Sequence, residues 1–297
     1  MPVHCFESMH RAFLKVQDGC NQFCSYCAIP FARGRERSLN HEQVIQIAKD
    51  LCDKGHTEIV LTGIHTGRYD DGEYDLAKLM KALLENTPDS VYYRISSIEI
   101  TEVSDALIAL MKENPRMCHH LHIPVQSACN ETLRRMNRPY TIEEFKEKIN
   151  YIRSCIPDIS ISTDVIAGFV QESDEEFETT YENLADLELS FFHVFPYSKR
   201  NGTKASTLKG EINGKVAKAR VARLLELSNA CRERDMKRFN PVQVLIERKQ
   251  DGYYTGYTNQ YHSCKILSDT PLSGRITIEW DRIEDGTYYG KKDVVCD

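Results

Sequence analysis

The sequence predicts an α/β fold followed by a small all-β unit, on two observations. Between residues 11 and 238, short apolar runs of strand character alternate six times with amphipathic stretches of helical periodicity. Such alternation is typical of a parallel sheet with helices outside it, and six units are too few for a closed eight-fold barrel. After residue 239 the helical periodicity stops, and short β-rich runs separated by glycines follow. The first part is therefore expected to be an open partial barrel or a doubly wound sheet.

The predicted strands and helices of the first part follow one another in regular order. The strands are expected at residues 12–16, 57–62, 91–95, 120–123, 159–166 and 191–195. The helices are expected at residues 41–54, 75–86, 104–114 and 141–154, after residue 173, and at 215–238. Asn40 is the predicted N-cap of the first helix, and capping boxes at Thr141 and Ser173 begin two later ones. Because the loops after parallel strands gather at one end, functional groups are expected there.

The tail has the pattern of a separate domain of short strands. Its β-rich runs lie at residues 242–246, 253–257, 262–267 and 275–279. About 59 residues suffice for a small five-stranded barrel. We therefore predict three parts: a linker remnant at 1–10, the α/β unit at 11–238 and a β-barrel at 239–297.

Composition narrows the class of protein. The 297 residues carry 38 basic and 44 acidic side chains, a net charge of −6, which argues against a strong general attraction to nucleic acid. The sequence contains no run of about 18 apolar residues, so no membrane span is expected. The first residues do not resemble a signal peptide. We therefore expect a cytoplasmic protein in a reducing compartment, where a disulfide framework for its 11 cysteines is improbable.

Three of the cysteines differ from the rest by their spacing. Cys20, Cys24 and Cys27 lie within eight residues, in the loop after the first predicted strand. Zinc sites usually show two cysteine pairs, or one pair with distant histidines, and no second pair follows here. Three thiolates can hold three irons of a [4Fe–4S] cluster and leave the fourth iron open to a small ligand. The cluster is the favoured interpretation, with zinc and three unrelated thiols as alternatives; the other eight cysteines are expected to be small buried side chains.

The cysteine motif, with Tyr26 before its last cysteine, resembles the signature of radical S-adenosylmethionine (SAM) enzymes. The surrounding segments resemble the methylthiotransferase branch of that family, and they lie at residues 18–34, 96–99, 120–127, 135–141, 164–169 and 197–203. Residues 256–261 resemble the TRAM domain, an RNA-binding barrel. The resemblance implies a partial (β/α)6 barrel with the cluster on its first loop, followed by a TRAM-like barrel. Residues 61–65 resemble the subgroup that acts on N6-threonylcarbamoyladenosine in tRNA.

The resemblance also implies cofactors, partners and site residues. The cofactors would be a [4Fe–4S] cluster held by the three cysteines and SAM, and the partners tRNA and an electron donor, with neither membrane nor DNA involved. The residues expected to bind SAM are Tyr26, Gly63, Glu99, Gln126, Arg138 and Gly168. The residues expected to contact RNA are Arg33, Arg35, Arg37, Tyr257 and Tyr261. No protein side chain is assigned as catalytic, because the cofactors carry the difficult chemistry.

Several features leave alternatives open. Val170 and Gln171 stand where the family usually has a Pro-Gly turn, beside the expected SAM site. Family members normally begin with a further domain that carries three cysteines for a second cluster, so the full reaction is expected to need that domain. His120 and His122 alternate with apolar residues on one strand and are interpreted as core or rim histidines. The alternative function is a cluster-bearing RNA-binding module, or another radical-SAM enzyme that cleaves SAM without methylthiolation.

Overall fold

The structure is a computed structural model that describes residues 10–292. The predicted linker remnant, apart from His10, lies outside the described residues, as do Cys5 and Cys296. In the described part, no helix combines the length and the apolar character needed to cross a membrane.

The first part of the chain alternates strands and helices as expected. Its strands are β1 (Arg11–Lys15), β2 (Gln17–Asp18), β3 (Arg37–Ser38), β4 (Glu58–Thr62), β5 (Tyr92–Ile95), β6 (His120–His122), β7 (Ser160–Ala167) and β8 (Phe191–Pro196). Its helices are α1 (Ile29–Arg33), α2 (His41–Asp53), α3 (Leu76–Asn86), α4 (Asp105–Glu113), α5 (Asn130–Met136), α6 (Ile142–Cys155), α7 (Asp174–Asp186) and α8 (Gly214–Met236). Single 3-10 turns lie at Thr66–Arg68, Ile100–Glu102 and Ala205–Thr207.

The six long strands form the wall of an open barrel. β1, β4 and β5 form one parallel sheet, and β6, β7 and β8 form another. The two sheets meet between β5 and β6, where Tyr93 pairs with Met117 just before β6 and the N–H of Ile98 donates to the carbonyl of His122 at 3.0 Å. β1 and β8 are the free edges, and the described residues show no pairing between them, so the barrel is open on that side. A cavity of about 200 Å³ inside the barrel is lined by residues from all six strands.

Local signals in the sequence account for the helix boundaries. The side chain of Asn40 accepts hydrogen bonds from the first backbone N–H groups of α2, as an N-cap does. Both predicted capping boxes are present, at the starts of α6 and α7. The apolar faces of these helices pack against the outer face of the sheets, where Leu61, Tyr93 and Ile161 are almost completely buried.

The tail differs from the expected five-stranded barrel in its number of strands. It contains β9 (Val242–Gln250), β10 (Tyr253–Thr258), β11 (Ser263–Leu267), β12 (Arg275–Ile278), β13 (Trp280–Glu284) and β14 (Thr287–Lys291). These form one curled six-stranded sheet in the order β12-β9-β10-β11-β14-β13. β13 and β14 were not predicted, because only Trp280 and Ile283 in β13 and Tyr288 in β14 have core contacts, too few to give a period in the sequence.

A buried carboxylate is at the centre of the contact between the tail sheet and the N-terminal end of the barrel. Glu58, the first residue of β4, is fully buried and accepts hydrogen bonds from Arg11 at 2.9 Å and Arg94 at 3.0 Å. The third guanidinium comes from the tail, where Arg275 donates to Glu58 at 2.8 Å. Although burial favours the neutral acid, the three guanidinium groups hold the pKa of Glu58 well below its usual range. The opposite end of the barrel is therefore left clear for the loops that follow the strands.

Candidate functional site

The cysteine loop leaves the barrel directly after β2 and is held at its base. β2 and β3 form a short antiparallel ribbon that brackets the loop. Gly19 has a φ of +77°, and a Cβ atom there would lie 2.0 Å from the carbonyl oxygen of Arg35. The backbone N–H of Cys20 donates to the carbonyl of Gly34 at 3.1 Å. Only glycine fits at position 19, so the ribbon fixes where the first cysteine begins.

The structure brings the three predicted cluster ligands together. Cys20, Cys24 and Cys27 are free, partly buried thiols that line one cavity of about 210 Å³. The backbone N–H of Gln22 lies 3.3 Å from Cys20 Sγ, and that of Ile29 lies 3.4 Å from Cys27 Sγ. Hydrogen bonds to the sulfurs are one of the features that tune iron–sulfur sites. The loop therefore presents its thiols with donors already directed at two of them.

The cavity fits a [4Fe–4S] cluster with a polar ligand beside it. Burial, together with the nearby thiols of Cys24 and Cys20, raises the pKa of the Cys27 thiol, and a positive metal centre beside it would favour its thiolate. Two further polar atoms that line the cavity, Gln22 Nε2 and Thr66 Oγ1, are buried and have no hydrogen-bond partner within residues 10–292. Three thiols match three irons of the cluster, and the two polar atoms are free to hold another group.

Arg138 and Glu99 reach the same cavity as a buried ion pair. Arg138 donates to Glu99 Oε1 at 3.1 Å and also contacts Glu99 Oε2. It donates in addition to the carbonyl of Pro124 at 3.0 Å, and one of its nitrogens lies 3.6 Å from Cys24 Sγ. The Arg138 side chain is only 2% exposed, so this ion pair is shielded from solvent. A charged pair at the edge of the thiol cavity suits the zwitterionic end of an amino acid.

Gln126 and Tyr26 also line the cavity, as expected. Gln126 has a φ of +67°, and its backbone bonds to the carbonyl of Asp164 and the N–H of Ile166, both at 2.8 Å, hold this conformation. The ring of Tyr26 packs edge-on against Phe169 with 6.4 Å between centroids, and burial raises the pKa of its hydroxyl. Both residues are therefore fixed by the surrounding structure.

The two glycines expected at the SAM site do not line this cavity. A Cβ atom at Gly63 would lie about 3.0 Å from Gln17 and Thr66, so the glycine is needed for close packing below the cavity. Gly168 has a φ of +71°, and a Cβ atom there would lie 2.8 Å from Cβ of Ala217 in α8. Gly168 lines a different cavity of about 460 Å³ beside α8. Contact of these two glycines with SAM stays a prediction.

The predicted RNA-binding residues fall at opposite ends of the barrel. Arg33, Arg35 and Arg37 are exposed on the segment that follows the cysteine loop. Arg37 pairs with Asp18 at 2.6 Å, whereas the side chains of Arg33 and Arg35 have no acidic partner in the described part of the chain.

Tyr257 and Tyr261 lie instead at the joint between the barrel and the tail sheet. Their rings stack with 5.0 Å between centroids, next to the buried Glu58 cluster. The guanidinium of Arg11 lies 5.0 Å from the Tyr257 ring, and that of Arg94 lies 4.9 Å from the Tyr261 ring. These contacts assign the two tyrosines a structural role, and RNA contact by them stays a prediction.

His65 is a cavity residue to which the sequence analysis gave no role. Its Nδ1 lies 3.6 Å from Cys20 Sγ, and its Nε2 lies 2.7 Å from Glu102 Oε1. Although burial alone would lower it, contact with Cys20 and Glu102 raises the pKa of His65 to about 10. His65 lies in the loop after β4, at the end of the barrel where functional groups gather, and this position could have identified it as a candidate site residue.

The barrel interior holds a second group of polar residues that the sequence did not bring together. His122, Asp164 and His193 come from three adjacent strands, and their ligand atoms all lie within 4.8 Å of one another. His122 Nε2 is 3.3 Å from Asp164, and the hydroxyl of Ser162 lies 2.9 Å from its other nitrogen. His120 is buried and contacts the same hydroxyl at 3.0 Å. The two strand histidines therefore face the cavity inside the barrel.

Comparison with known proteins identifies the family. The profile described as "Radical SAM superfamily" matches residues 14–184, which is more than half of the chain. This chain belongs to the radical SAM superfamily. A [4Fe–4S] cluster and SAM are the cofactors of this family, and the expected fold class is confirmed.

Two curated relatives refine the placement within the superfamily. The chain is 38% identical over 285 residues to the Bacillus subtilis protein named threonylcarbamoyladenosine tRNA methylthiotransferase MtaB, covering 93% of this chain and 63% of that protein. It is 34% identical to the protein of the same name from Chlamydia pneumoniae, covering 97% of this chain and 69% of that protein. The chain belongs to the methylthiotransferase branch of the radical SAM superfamily, and it spans somewhat under two thirds of the first of these relatives.

A third relative and two solved structures extend the comparison. A Thermodesulfovibrio yellowstonii protein named tRNA-2-methylthio-N(6)-dimethylallyladenosine synthase is 36% identical, covering 87% of this chain and 61% of that protein. The structure of coproporphyrinogen III oxidase from Escherichia coli, described as a radical SAM enzyme, matches with a TM-score of 0.56 at 15% identity, covering 77% of this chain and 54% of that one. Radical SAM methyltransferase TsrM from Kitasatospora setae, with cobalamin and [4Fe–4S] cluster bound, matches with a TM-score of 0.56 at 13% identity, covering 65% and 38%. At these identities the structures support the fold alone.

Proposed function

We propose that this chain is the radical-SAM core of a tRNA methylthiotransferase that adds a 2-methylthio group to N6-threonylcarbamoyladenosine. The observation that carries the proposal is the convergence of three cysteine thiols and the Arg138–Glu99 pair on one cavity at the functional end of the barrel. The names of the two MtaB relatives support the substrate. The proposed partners are tRNA and an electron donor, and the proposed compartment is the cytoplasm.

Each cavity residue has a proposed task. Cys20, Cys24 and Cys27 hold three irons of the cluster. When bound, the cluster and SAM supply the one-electron chemistry that activates an otherwise unreactive C–H position. Arg138 and Glu99 orient the carboxylate and amino groups of SAM, because their opposite charges match those of the zwitterion.

The remaining residues of the cavity position the ligand and exclude water. Gln126 offers an amide to the polar part of SAM from a backbone that β7 holds in place. Tyr26 closes one wall of the cavity with a ring that packs against Phe169. A closed apolar wall keeps water from a reactive site, which protects it from side reactions.

Nucleoside analysis tests the proposal. The protein is reconstituted anaerobically with iron and sulfide and supplied with SAM, a strong reductant and tRNA that lacks the methylthio group; the digested tRNA is then examined by mass spectrometry. The N-terminal region of the Bacillus subtilis relative is joined to the chain for this test, because the full reaction is expected to need that domain. We then expect the methylthiolated nucleoside with the wild-type sequence and with Cys52→Ala, a partly buried cysteine of α2 that lies outside the cavity. We expect none with Cys24→Ala.

Two other outcomes would change the proposal. Cleavage of SAM without any methylthiolated nucleoside would favour the alternative, a protein that binds the cluster and RNA but does not methylthiolate. Product that forms equally well without the joined N-terminal region would contradict the expectation that the full reaction needs that region.

A further inference from the structure

The outer surface of the cysteine loop carries an exposed aromatic pair. Phe23 is 58% exposed and Phe31 is 67% exposed, the two highest values for a large apolar side chain in the described residues. Their rings lie 5.9 Å apart between centroids at an interplanar angle of 66°. Single exposed apolar side chains are common on protein surfaces, whereas two adjacent exposed phenylalanine rings form an apolar patch. Exposure of such a patch to water is unfavourable, so we expect a partner to cover it.

The pair is fixed at the rim of the cofactor cavity. Phe23 stands between Gln22 and Cys24, which both line the cavity, while its own ring faces outward. The carbonyl of Phe23 accepts a hydrogen bond from Asn137 at 2.9 Å, which ties the loop to the end of α5. Phe31 lies in α1, directly after the last cysteine. The rings therefore stand within a few residues of the thiols, on a backbone that the barrel holds in place.

Exposed cations without acidic partners lie on the two chain segments that meet at the cysteine loop. Arg33 lies two residues after Phe31, and Arg35 follows it; both are exposed. Arg200 and Lys204 are exposed on the segment after β8, which is joined to the cysteine loop where the N–H of Ala205 donates to the carbonyl of Ser25 at 2.7 Å. Within residues 10–292, none of the four cations has a salt bridge, whereas their neighbours Arg37 and Lys199 pair with Asp18 and Glu211. In a chain with a net charge of −6, a group of free cations indicates an anionic partner.

We propose that Phe23 and Phe31 form a stacking platform for an unpaired base of the RNA substrate, next to the nucleotide that enters the cavity. Arg33, Arg35, Arg200 and Lys204 then contact the flanking phosphates. This inference rests on the proposed function, because it takes tRNA as the substrate. Single-stranded RNA is recognised by stacking of bases on aromatic side chains in a positively charged groove, and the platform offers both features.

A protein partner fits the same surface less well. An apolar protein surface would cover the two rings but would leave four cations with no counter-charge at its edge. An unpaired stretch of RNA provides both a flat base for the aromatic pair and phosphates for the cations. The combination of exposed rings and free cations therefore favours RNA, and a protein partner becomes an outcome of the test.

The test compares RNA with and without unpaired bases. Binding of a fluorescein-labelled anticodon stem–loop RNA and of a fully paired RNA duplex with the same number of phosphates is measured by fluorescence anisotropy. We expect Phe31→Ala to weaken stem–loop binding about tenfold or more, and duplex binding less than about twofold, because only stacking is lost. Phe31→Trp is expected to restore stem–loop binding, since it keeps the ring.

Two control variants separate stacking from charge and from general surface effects. Tyr151→Ala removes another exposed ring, 42% exposed and far along the chain in α6, and is expected to leave both affinities unchanged. Arg33→Ala combined with Arg35→Ala is expected to weaken binding of both RNAs alike and to reduce the dependence of binding on salt concentration, as loss of phosphate contacts does.

The outcomes distinguish this inference from the proposed function. Equal binding of the stem–loop RNA by the wild type and Phe31→Ala would overturn the platform and leave the tRNA substrate standing. No binding of either RNA by the wild type would overturn both. If Phe31→Ala instead prevented association with the N-terminal region of the Bacillus subtilis relative while RNA binding was unchanged, the surface would be a protein interface and the platform would be wrong.

Discussion

At the scale of single residues, the Arg138–Glu99 pair is the contact on which the proposed SAM site depends most. The sequence placed both residues at the SAM site by resemblance, but it gave no reason for them to touch, because 39 positions separate them. The structure explains the pairing: Glu99 follows β5 and Arg138 follows α5. Between them, α4 crosses back over the barrel and β6 returns the chain to the same edge. Proximity of this kind comes from topology and leaves no local signal in the sequence.

Replacement of Arg138 should destabilise the fold as well as the cofactor site. Arg138→Gln leaves Glu99 partly buried without its charge partner and removes the bond to Pro124, so we expect a loss of about 3–5 kcal/mol in the free energy of unfolding. Arg134→Ala is the matched control: its side chain is 74% exposed and pairs with an exposed Glu131, so its loss should be about 0–1 kcal/mol. Urea denaturation of the two variants measures the difference. Equal losses in the two variants would show that the buried ion pair stabilises the fold no more than an exposed one.

At the scale of elements, local signals in the sequence predicted the barrel strands and the longer helices but not the short helices. The six barrel strands, the caps of α2, α6 and α7 and the long α8 follow from periodicity and capping residues. The short helices α1 and α5 were missed, since five and seven residues are too few to show an apolar period. The cysteine spacing predicted the cluster site, whereas His65 and the interior group around His122 needed the strands to be placed in space.

The base of the cysteine loop should be sensitive to one methyl group. Gly19→Ala would place a Cβ atom 2.0 Å from the Arg35 carbonyl oxygen, so we expect the loop to shift and the iron bound per chain after reconstitution to fall at least about twofold. Gly55→Ala is the control, because it has a similar φ of +88° with no heavy atom within 4 Å of its Cβ position. It should cost about 1 kcal/mol of stability and leave iron content unchanged. A normal iron content in Gly19→Ala would contradict the role given to the ribbon.

At the scale of the whole molecule, the buried Glu58 cluster joins the two parts of the chain. Arg275 of the tail sheet reaches Glu58 across 217 positions of sequence, and the stacked Tyr257 and Tyr261 cover the same joint. Those tyrosines were expected to contact RNA because residues 256–261 resemble the RNA-binding TRAM domain. The structure places the tail against the N-terminal end of the barrel, so the cysteine loop and its exposed cations are left as the surface at the open end.

The buried Glu58 between the barrel and the tail sheet should make the stability of the protein decrease at acid pH. Because the pKa of Glu58 is lower in the folded state, its contribution is complete above the unfolded value of about 4.3 and is lost as pH falls towards the folded value. We expect Glu58→Gln to cost about 3–5 kcal/mol at pH 7, and this cost to shrink by about 1–2 kcal/mol at pH 3. Glu131→Gln, an exposed acid, should show little change at either pH. Urea denaturation at both values tests this, and a pH-independent cost for Glu58→Gln would contradict the account of the joint.

The release of 5′-deoxyadenosine from SAM tests the central claim most directly, because it requires the cluster, the cavity and the bound cofactor at once. The protein is reconstituted anaerobically, its iron and sulfide are counted, and the product is measured by chromatography after addition of a strong reductant. The account predicts close to four irons per chain, with absorbance near 400 nm and steady release of 5′-deoxyadenosine that Cys24→Ala abolishes and Cys52→Ala retains. A protein that carries its full complement of iron and sulfide and releases no 5′-deoxyadenosine would contradict it.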